Sequence, residues 1–248
     1  MSVDILFIGD YKTGSTFVQH CLKRDTEVSY VDDPLKSPEN WRQLEALTNG
    51  EIDNVSLALE KGKKANVIWR ESFVSQDFLK MSFDDELLIR NLKIIDARKI
   101  IFITREDSKT SLYSTYLKNG GVLPYWILQK IGVFEQRKKN IERVKEVLLK
   151  NFPSNAIIAP YSREKLRDIF DKNGINTYEV PKQFTNVSYS SRGLKRRWIF
   201  NIIVLPVILC FALIPGGIII KKNPLIKMNF FLKYRLLHRY VLMRLFDI

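Results

Sequence analysis

Cysteine and histidine are almost missing from this chain: two of each in 248 residues. Cys21 and Cys210 lie far apart, so they make neither a disulfide framework nor a zinc-ligand pattern, and both read as small apolar fillers. No cluster of histidine with acidic residues is visible, and no internal repeat. Glycine and proline are present in ordinary numbers, 11 and 9. The first half-dozen residues run straight into an apolar stretch, which leaves no room for a secretory signal peptide, so an intracellular protein is expected. The length suits one full α/β domain with a short appendage.

Acidic residues are scarce in one place. From Arg192 to the end there are eleven Lys/Arg and a single acid, Asp247; the preceding residues hold 29 bases against 26 acids. Of the net charge of +13, +10 therefore belongs to a tail. That tail also contains the least polar stretch, "IIVLPVILCFALIPGGIII" (202–220), with Lys195, Arg196 and Arg197 before it and Lys221 and Lys222 after it. This combination shifts the expected partner from nucleic acid to an anionic membrane surface. A straight helix of that length would reach about 28 Å, just enough to span a bilayer core. Pro206 and the Pro215-Gly216-Gly217 break oppose a straight helix. Spanning would also carry the basic C-terminus across the membrane, against the positive-inside tendency. A re-entrant or interfacial hairpin keeps both ends on the cytoplasmic face. The last segment, "KMNFFLKYRLLHRYVLMRLF", then reads as a basic amphipathic helix on anionic lipid. The competing reading is an apolar extension docked on the sheet or in a dimer. The expected division is a catalytic domain, 1–194, and a membrane-association tail, 195–248.

Along the chain, periodicity predicts strands at 3–8, "NVIWRESF" (66–73), "RKIIFIT" (98–104) and "AIIAPY" (156–161). Helices are predicted at 15–24, 75–80, 84–93, through "SKTSLYSTYLKN" up to Gly120-Gly121, at "FEQRKKNIERVKEVLLKN" and at "REKLRDIFDKNG". The penultimate helix carries Ile141, Val144, Val147 and Leu148 on one face, and the last is closed by Gly174. Residues 25–65 read as loops with a short helix or two, punctuated by Pro34, Pro38 and Asn49-Gly50. Strands alternating with helices predict an α/β fold: a mostly parallel central sheet with helices on both faces. In such sheets the ligand sits at the carboxyl ends of the strands.

Two of those ends carry anion-binding chemistry. In "ILFIGDYKTGSTFVQHCL" an apolar strand runs into a glycine-bracketed turn and then a helix. Successive backbone N–H groups of such a turn converge on one anion, and the helix adds its positive end. Ser15 and Thr16 open the helix and offer hydroxyls to phosphate oxygens. A nucleoside-triphosphatase would place lysine directly after Gly14; here the only lysine, Lys12, lies inside the turn. After "IIFIT", Arg105 ends the strand, and Ser111 and Ser114 follow in the next helical pattern. An arginine and a helix serine beside the first loop would bind a second phosphate through charge-assisted hydrogen bonds.

This pair of motifs resembles the sulfotransferase family that uses 3′-phosphoadenosine 5′-phosphosulfate (PAPS). The family's 5′-phosphosulfate loop reads roughly Pro-Lys-x-Gly-Thr/Ser-Thr/Ser; Tyr11-Lys12-Thr13-Gly14-Ser15-Thr16 matches it except for the proline. Its 3′-phosphate site is an arginine ending a central strand with a serine about eight residues on. Ser111 is six and Ser114 nine residues from Arg105, so either can be the partner. "SLYSTYLKNGG" and "VPKQFTNVSYSSRGLKRRWIFN" resemble bacterial sulfotransferases that modify surface polysaccharides. The resemblance covers about residues 3–201, patchily between 25 and 65. It implies a P-loop-like fold and transfer of a sulfuryl group from PAPS to a sugar hydroxyl, without a metal. The acceptor would be a surface polysaccharide or a lipid-linked glycan, met at the inner face of the cytoplasmic membrane.

The resemblance also assigns roles. Lys12 would offset charge on the departing bridging oxygen. Glu71, at the end of the second predicted strand, would accept the acceptor's proton, as glutamates do in related carbohydrate sulfotransferases. The plain alternative is that Glu71 caps a helix or pairs with Arg70. His20 reads as a structural histidine, and His238 lies in the tail. Arg192, in "NVSYSSRG", would belong to a late loop over the 3′-phosphate, or to a solvated linker. Trp41, Tyr125 and Trp126 are candidates for stacking an acceptor sugar or for core packing. Two other functional classes remain: a P-loop nucleotide-dependent small-molecule kinase, and a non-catalytic membrane-attached nucleotide-binding protein. The lysine missing after Gly14 and the lack of an evident magnesium-binding carboxylate count against the kinase.

Overall fold

Strand β1 (Ile5–Gly9) pairs with β3 (Ala65–Trp69) on one side and β4 (Lys99–Thr104) on the other. Strand β2 (Val28–Tyr30) extends the sheet beyond β3, and β5 (Ala156–Pro160) extends it beyond β4. The order is β2-β3-β1-β4-β5, with every neighbouring pair parallel. This is a computed structural model, and it describes residues 2–9, 14–74, 83–105, 109, 113, 116–117, 124–179, 198–199 and 202.

Helices cover both faces, as the strand–helix alternation predicts. Leu6, Ile8, Ile68, Ile100 and Phe102 point to one side. They meet α2 (Pro38–Thr48) through Leu44 and Leu47, α3 (Asp85–Ile95) through Leu88 and Leu92, and α5 (Val133–Asn151) through Ile141, Val144 and Leu148. The alternate residues Ile5, Phe7, Val67, Trp69, Ile101 and Ile103 point the other way. There they meet α1 (Ser15–Arg24) and α6 (Arg163–Lys172). Burial on both faces is why the strands read as unbroken apolar runs rather than alternating ones. Helix α4 (Tyr125–Lys130) is short.

Helix ends follow local chemistry. Asp84 caps α3 by accepting from the Leu87 amide at 2.9 Å, and Ser162 caps α6 by accepting from the Lys165 amide at 3.0 Å. Gly174, with φ 65°, ends α6 as expected.

Two sequence expectations shift. The strand expected at 66–73 stops at Trp69, and Glu71–Phe73 form a single 3₁₀ turn. The Arg70 amide donates to the Phe7 carbonyl at 2.8 Å, and the chain then turns to bury Phe73 and Val74 under the α3 side of the sheet. Within 25–65, β2 was legible only as loop because three residues carry no period. The segment after α2 is extended yet forms no strand. Asn40 exchanges two hydrogen bonds with the backbone of Ala58, both 2.9 Å, and Gln43 does the same with Ser56. Helix amides thus supply the partners that a neighbouring strand would otherwise give.

The chain divides into two compact units: Met1–Ser108 with Arg137–Val187, and Lys109–Gln136 with Ser188–Ile248. The first holds the sheet. In the second, Tyr125 stacks on Phe134 at 4.9 Å and meets Tyr113 edge-on at 5.4 Å, while Lys109 pairs with Glu135 at 2.9 Å. The domain boundary expected at 194/195, the helix expected at 75–80 and the stretch 203–248 lie outside the described residues. Among the described residues no helix is long and apolar enough to cross a membrane.

Phe170 of α6 ties the α1 side together, fully buried with its ring 5.5 Å from Phe7 and 5.9 Å from Phe17. Truncating a buried phenylalanine typically costs about 3–5 kcal/mol. Phe170→Ala is expected to lower unfolding free energy by that amount in urea titrations monitored by circular dichroism.

Candidate functional site

Because all five strands are parallel, their carboxyl ends open on one edge of the sheet. Along it, in spatial order, stand Asp32 and Asp33 after β2, Arg70 and Glu71 after β3, the Gly14 turn after β1, Arg105 after β4, and Tyr161 after β5. Gly9 pairs with Ile103, so the loops leaving β1 and β4 start side by side. From this point α1 leads toward β2, whereas the chain after β4 leads toward β5. Ligands bind parallel sheets at such a reversal.

Gly14 is required twice over. Its φ is 86°, a left-handed conformation, and an added Cβ would lie 2.7 Å from Tyr161 Cε2 and 2.8 Å from Leu166 Cδ1. The glycine lets α1 begin directly against the β5–α6 connection. Its carbonyl accepts the first intrahelical bond, from Val18 at 3.0 Å, so the amides of Ser15, Thr16 and Phe17 precede the helical ladder. Arg105 touches the same ring from the β4 side, its guanidinium carbon 5.5 Å from the Tyr161 centroid. The Tyr161 amide in turn donates to the Thr104 carbonyl at 2.6 Å. Gly14 and Arg105 therefore share Tyr161 as a neighbour. A helix start and a guanidinium are both attractive to anionic groups.

Tyr161 is a residue that sequence reasoning missed, absorbed there as the end of a strand. Of the expected anion-binding residues, Gly14, Ser15, Thr16 and Arg105 are described and lie at this reversal. Tyr11, Lys12, Thr13, Ser111, Ser114 and Arg192 lie outside the described residues. Among the described residues no group of histidine, cysteine and acid is arranged to hold a metal ion.

On the other side of β1, Glu71 opens the 3₁₀ turn, half-buried, with Oε1 shut off from solvent. Arg70 takes no part in an ion pair with it. Its guanidinium, 6% exposed, turns toward β2 and α2 instead. It lies 3.1 Å from Glu45 and 3.5 Å from Asp32, and donates to the Trp41 carbonyl at 3.0 Å. The expected alternative of an Arg70–Glu71 pair is thus not what forms. His20, on α1, has a solvent-excluded Nε2 that makes no hydrogen bond among the described residues.

Asp32 was likewise missed, because the strand before it was read as loop. Its carboxyl is pushed up from the ordinary range to about 7. Burial is the main cause; Arg70 pulls the other way, and Glu45 and Asp33 add to the rise. The long 3.5 Å approach explains why Arg70 does not offset the loss of water. The same burial, with Asp32 and Asp33 nearby, raises the Tyr30 hydroxyl. Asp33 is held separately, 3.4 Å from Lys23.

A folded carboxyl that keeps its proton to higher pH than the unfolded one makes stability fall as pH rises between those two values, here from 3.8 to about 7. Asp32→Asn removes that dependence. Relative to wild type the variant gains stability with rising pH, by at most about 1.4 kcal/mol per pH unit. Urea unfolding of both proteins at pH 5 and pH 8 measures the change; an equal difference at the two values would contradict the assignment.

No family model matches the chain, and no curated protein is significantly similar to it.

Proposed function

We propose that this chain is a PAPS-dependent sulfotransferase of P-loop-like fold acting on a carbohydrate hydroxyl. The observation that carries the reading is the adjacency of two anion-binding elements at the strand-order reversal. The Gly14–Thr16 helix start and Arg105 meet at Tyr161, and the lysine-in-turn spelling "YKTGST" stands at the first of them. A P-loop kinase would need its lysine after Gly14, where Ser15 stands.

In this reading the Gly14–Thr16 amides and hydroxyls hold the 5′-phosphosulfate end, and Arg105 holds the 3′-phosphate. Lys12, Ser111, Ser114 and Arg192 enter on their motifs alone. The co-substrate supplies an activated sulfuryl group. Glu71, across β1 from Arg105, takes the proton of the acceptor hydroxyl as its oxygen bonds to sulfur. Lys12 offsets the negative charge left on the bridging oxygen as the sulfur–oxygen bond to phosphate breaks. The products are a sulfate ester and adenosine 3′,5′-bisphosphate. The basic, apolar residues 195–248 hold the enzyme to anionic lipid at the cytoplasmic face, where a polysaccharide or lipid-linked glycan is met.

Titration of the purified protein with adenosine 3′,5′-bisphosphate and with ATP tests the reading. Tighter binding of the bisphosphate is expected, and preference for ATP would overturn it. Arg105→Ala should weaken bisphosphate binding by roughly 10- to 100-fold, the loss of one charge-assisted phosphate contact. Lys12→Ala should abolish transfer. Glu71→Gln should lower kcat by roughly 100-fold or more while leaving bisphosphate affinity unchanged, the loss of a general base; turnover near wild type would exclude Glu71 from that role.

A further inference from the structure

The start of α6 goes against the ordinary charge rule for helices. Arg163 and Lys165 stand in its first turn with one acid, Glu164, and Arg167 follows. The amino end of a helix already carries partial positive charge, and acids rather than bases suit it. Glu164 is committed to the helix start itself. Its own amide and the Ser162 hydroxyl bond its carboxylate and hold it below the ordinary range. Arg163 is exposed and forms no ion pair among the described residues. Its guanidinium lies instead over the ring of Phe17, 5.6 Å from the centroid.

Phe17 belongs to the first turn of α1, the helix that Gly14 opens. Packing fixes this meeting. A Cβ at Gly14 would collide with Tyr161 and Leu166, so the starts of α1 and α6 touch. Both helices begin at the carboxyl edge of the sheet, one after β1 and the other after β5. Phe17 is buried and its ring also stacks on Phe170, which leaves it little freedom to move away. Arg163 therefore brings a full positive charge beside two positive helix ends. Charges so gathered repel one another, and an anion among them removes the repulsion. A guanidinium stacked on an aromatic face keeps the N–H donors in its own plane open to such an anion.

Resting on the sulfotransferase reading above, we propose that Arg163 is a further co-substrate-binding residue, donating from the α6 side to the 5′-phosphate held at the start of α1. Arg105 approaches Tyr161 from the β4 side and serves the 3′-phosphate. No contiguous motif marks Arg163, because only the packing of α6 against α1 brings it to the Gly14 turn.

The test measures binding of two nucleotides to the full chain in detergent by calorimetry: adenosine 3′,5′-bisphosphate, and adenosine 5′-phosphosulfate, which lacks the 3′-phosphate. Arg163→Ala should weaken both by roughly 10-fold or more, the loss of one charge-assisted contact. Arg163→Lys keeps the charge without the planar donors and should recover part of the loss. Arg167→Ala removes the same charge one turn further along α6 and should leave both affinities at wild type. Unchanged affinities in Arg163→Ala, a loss confined to the bisphosphate, or an equal loss in Arg167→Ala would each overturn the proposal. Failure of wild type to bind the bisphosphate would instead remove the sulfotransferase reading, so the two failures are distinguishable.

Discussion

Strand β1 has no open edge. It is buried on both faces and bonded on both sides, so its backbone must be satisfied by β3 and β4 together. That requirement forces the chain to cross over β1 between β3 and β4, and the crossing creates the reversal of direction at the carboxyl edge. Everything with chemical character then follows from position. The β1 loop sits in the middle, Arg105 falls on one side of it and Glu71 on the other.

A second constraint is the charge of Arg70. A guanidinium 6% exposed must find acceptors or destabilise the fold by several kcal/mol. It finds a carboxylate on α2, another after β2, and a main-chain carbonyl between them in sequence. The three come from separate elements, so the charge that is costly to bury also fixes how α2 and the β2 end sit on β3. The compensation is uneven. Glu45 lies at hydrogen-bonding distance, while the carboxyl of Asp32, 0.4 Å farther away, is pushed up to about 7.

The alternation of apolar runs and amphipathic stretches was enough to read the sheet class, because a strand buried on both faces announces itself in composition. "IIFI" and "LFI" leave little choice, and the 3.6-residue period of Ile141, Val144 and Leu148 is equally direct. What stayed hidden was whatever depends on partners distant in sequence. Strand β2 is three residues long, and only its bonds to β3 make it a strand, so Asp32 and Asp33 passed for turn residues before Pro34. Asn40 and Gln43 look like ordinary helix-surface amides until Ala58 and Ser56 are seen opposite them. The site was legible in proportion to how local its chemistry is. A glycine turn before a helix is a contiguous pattern, and Gly14 does have the left-handed φ that such a turn demands. Tyr161, joined to Gly14 and Arg105 only across strands, carries no such pattern.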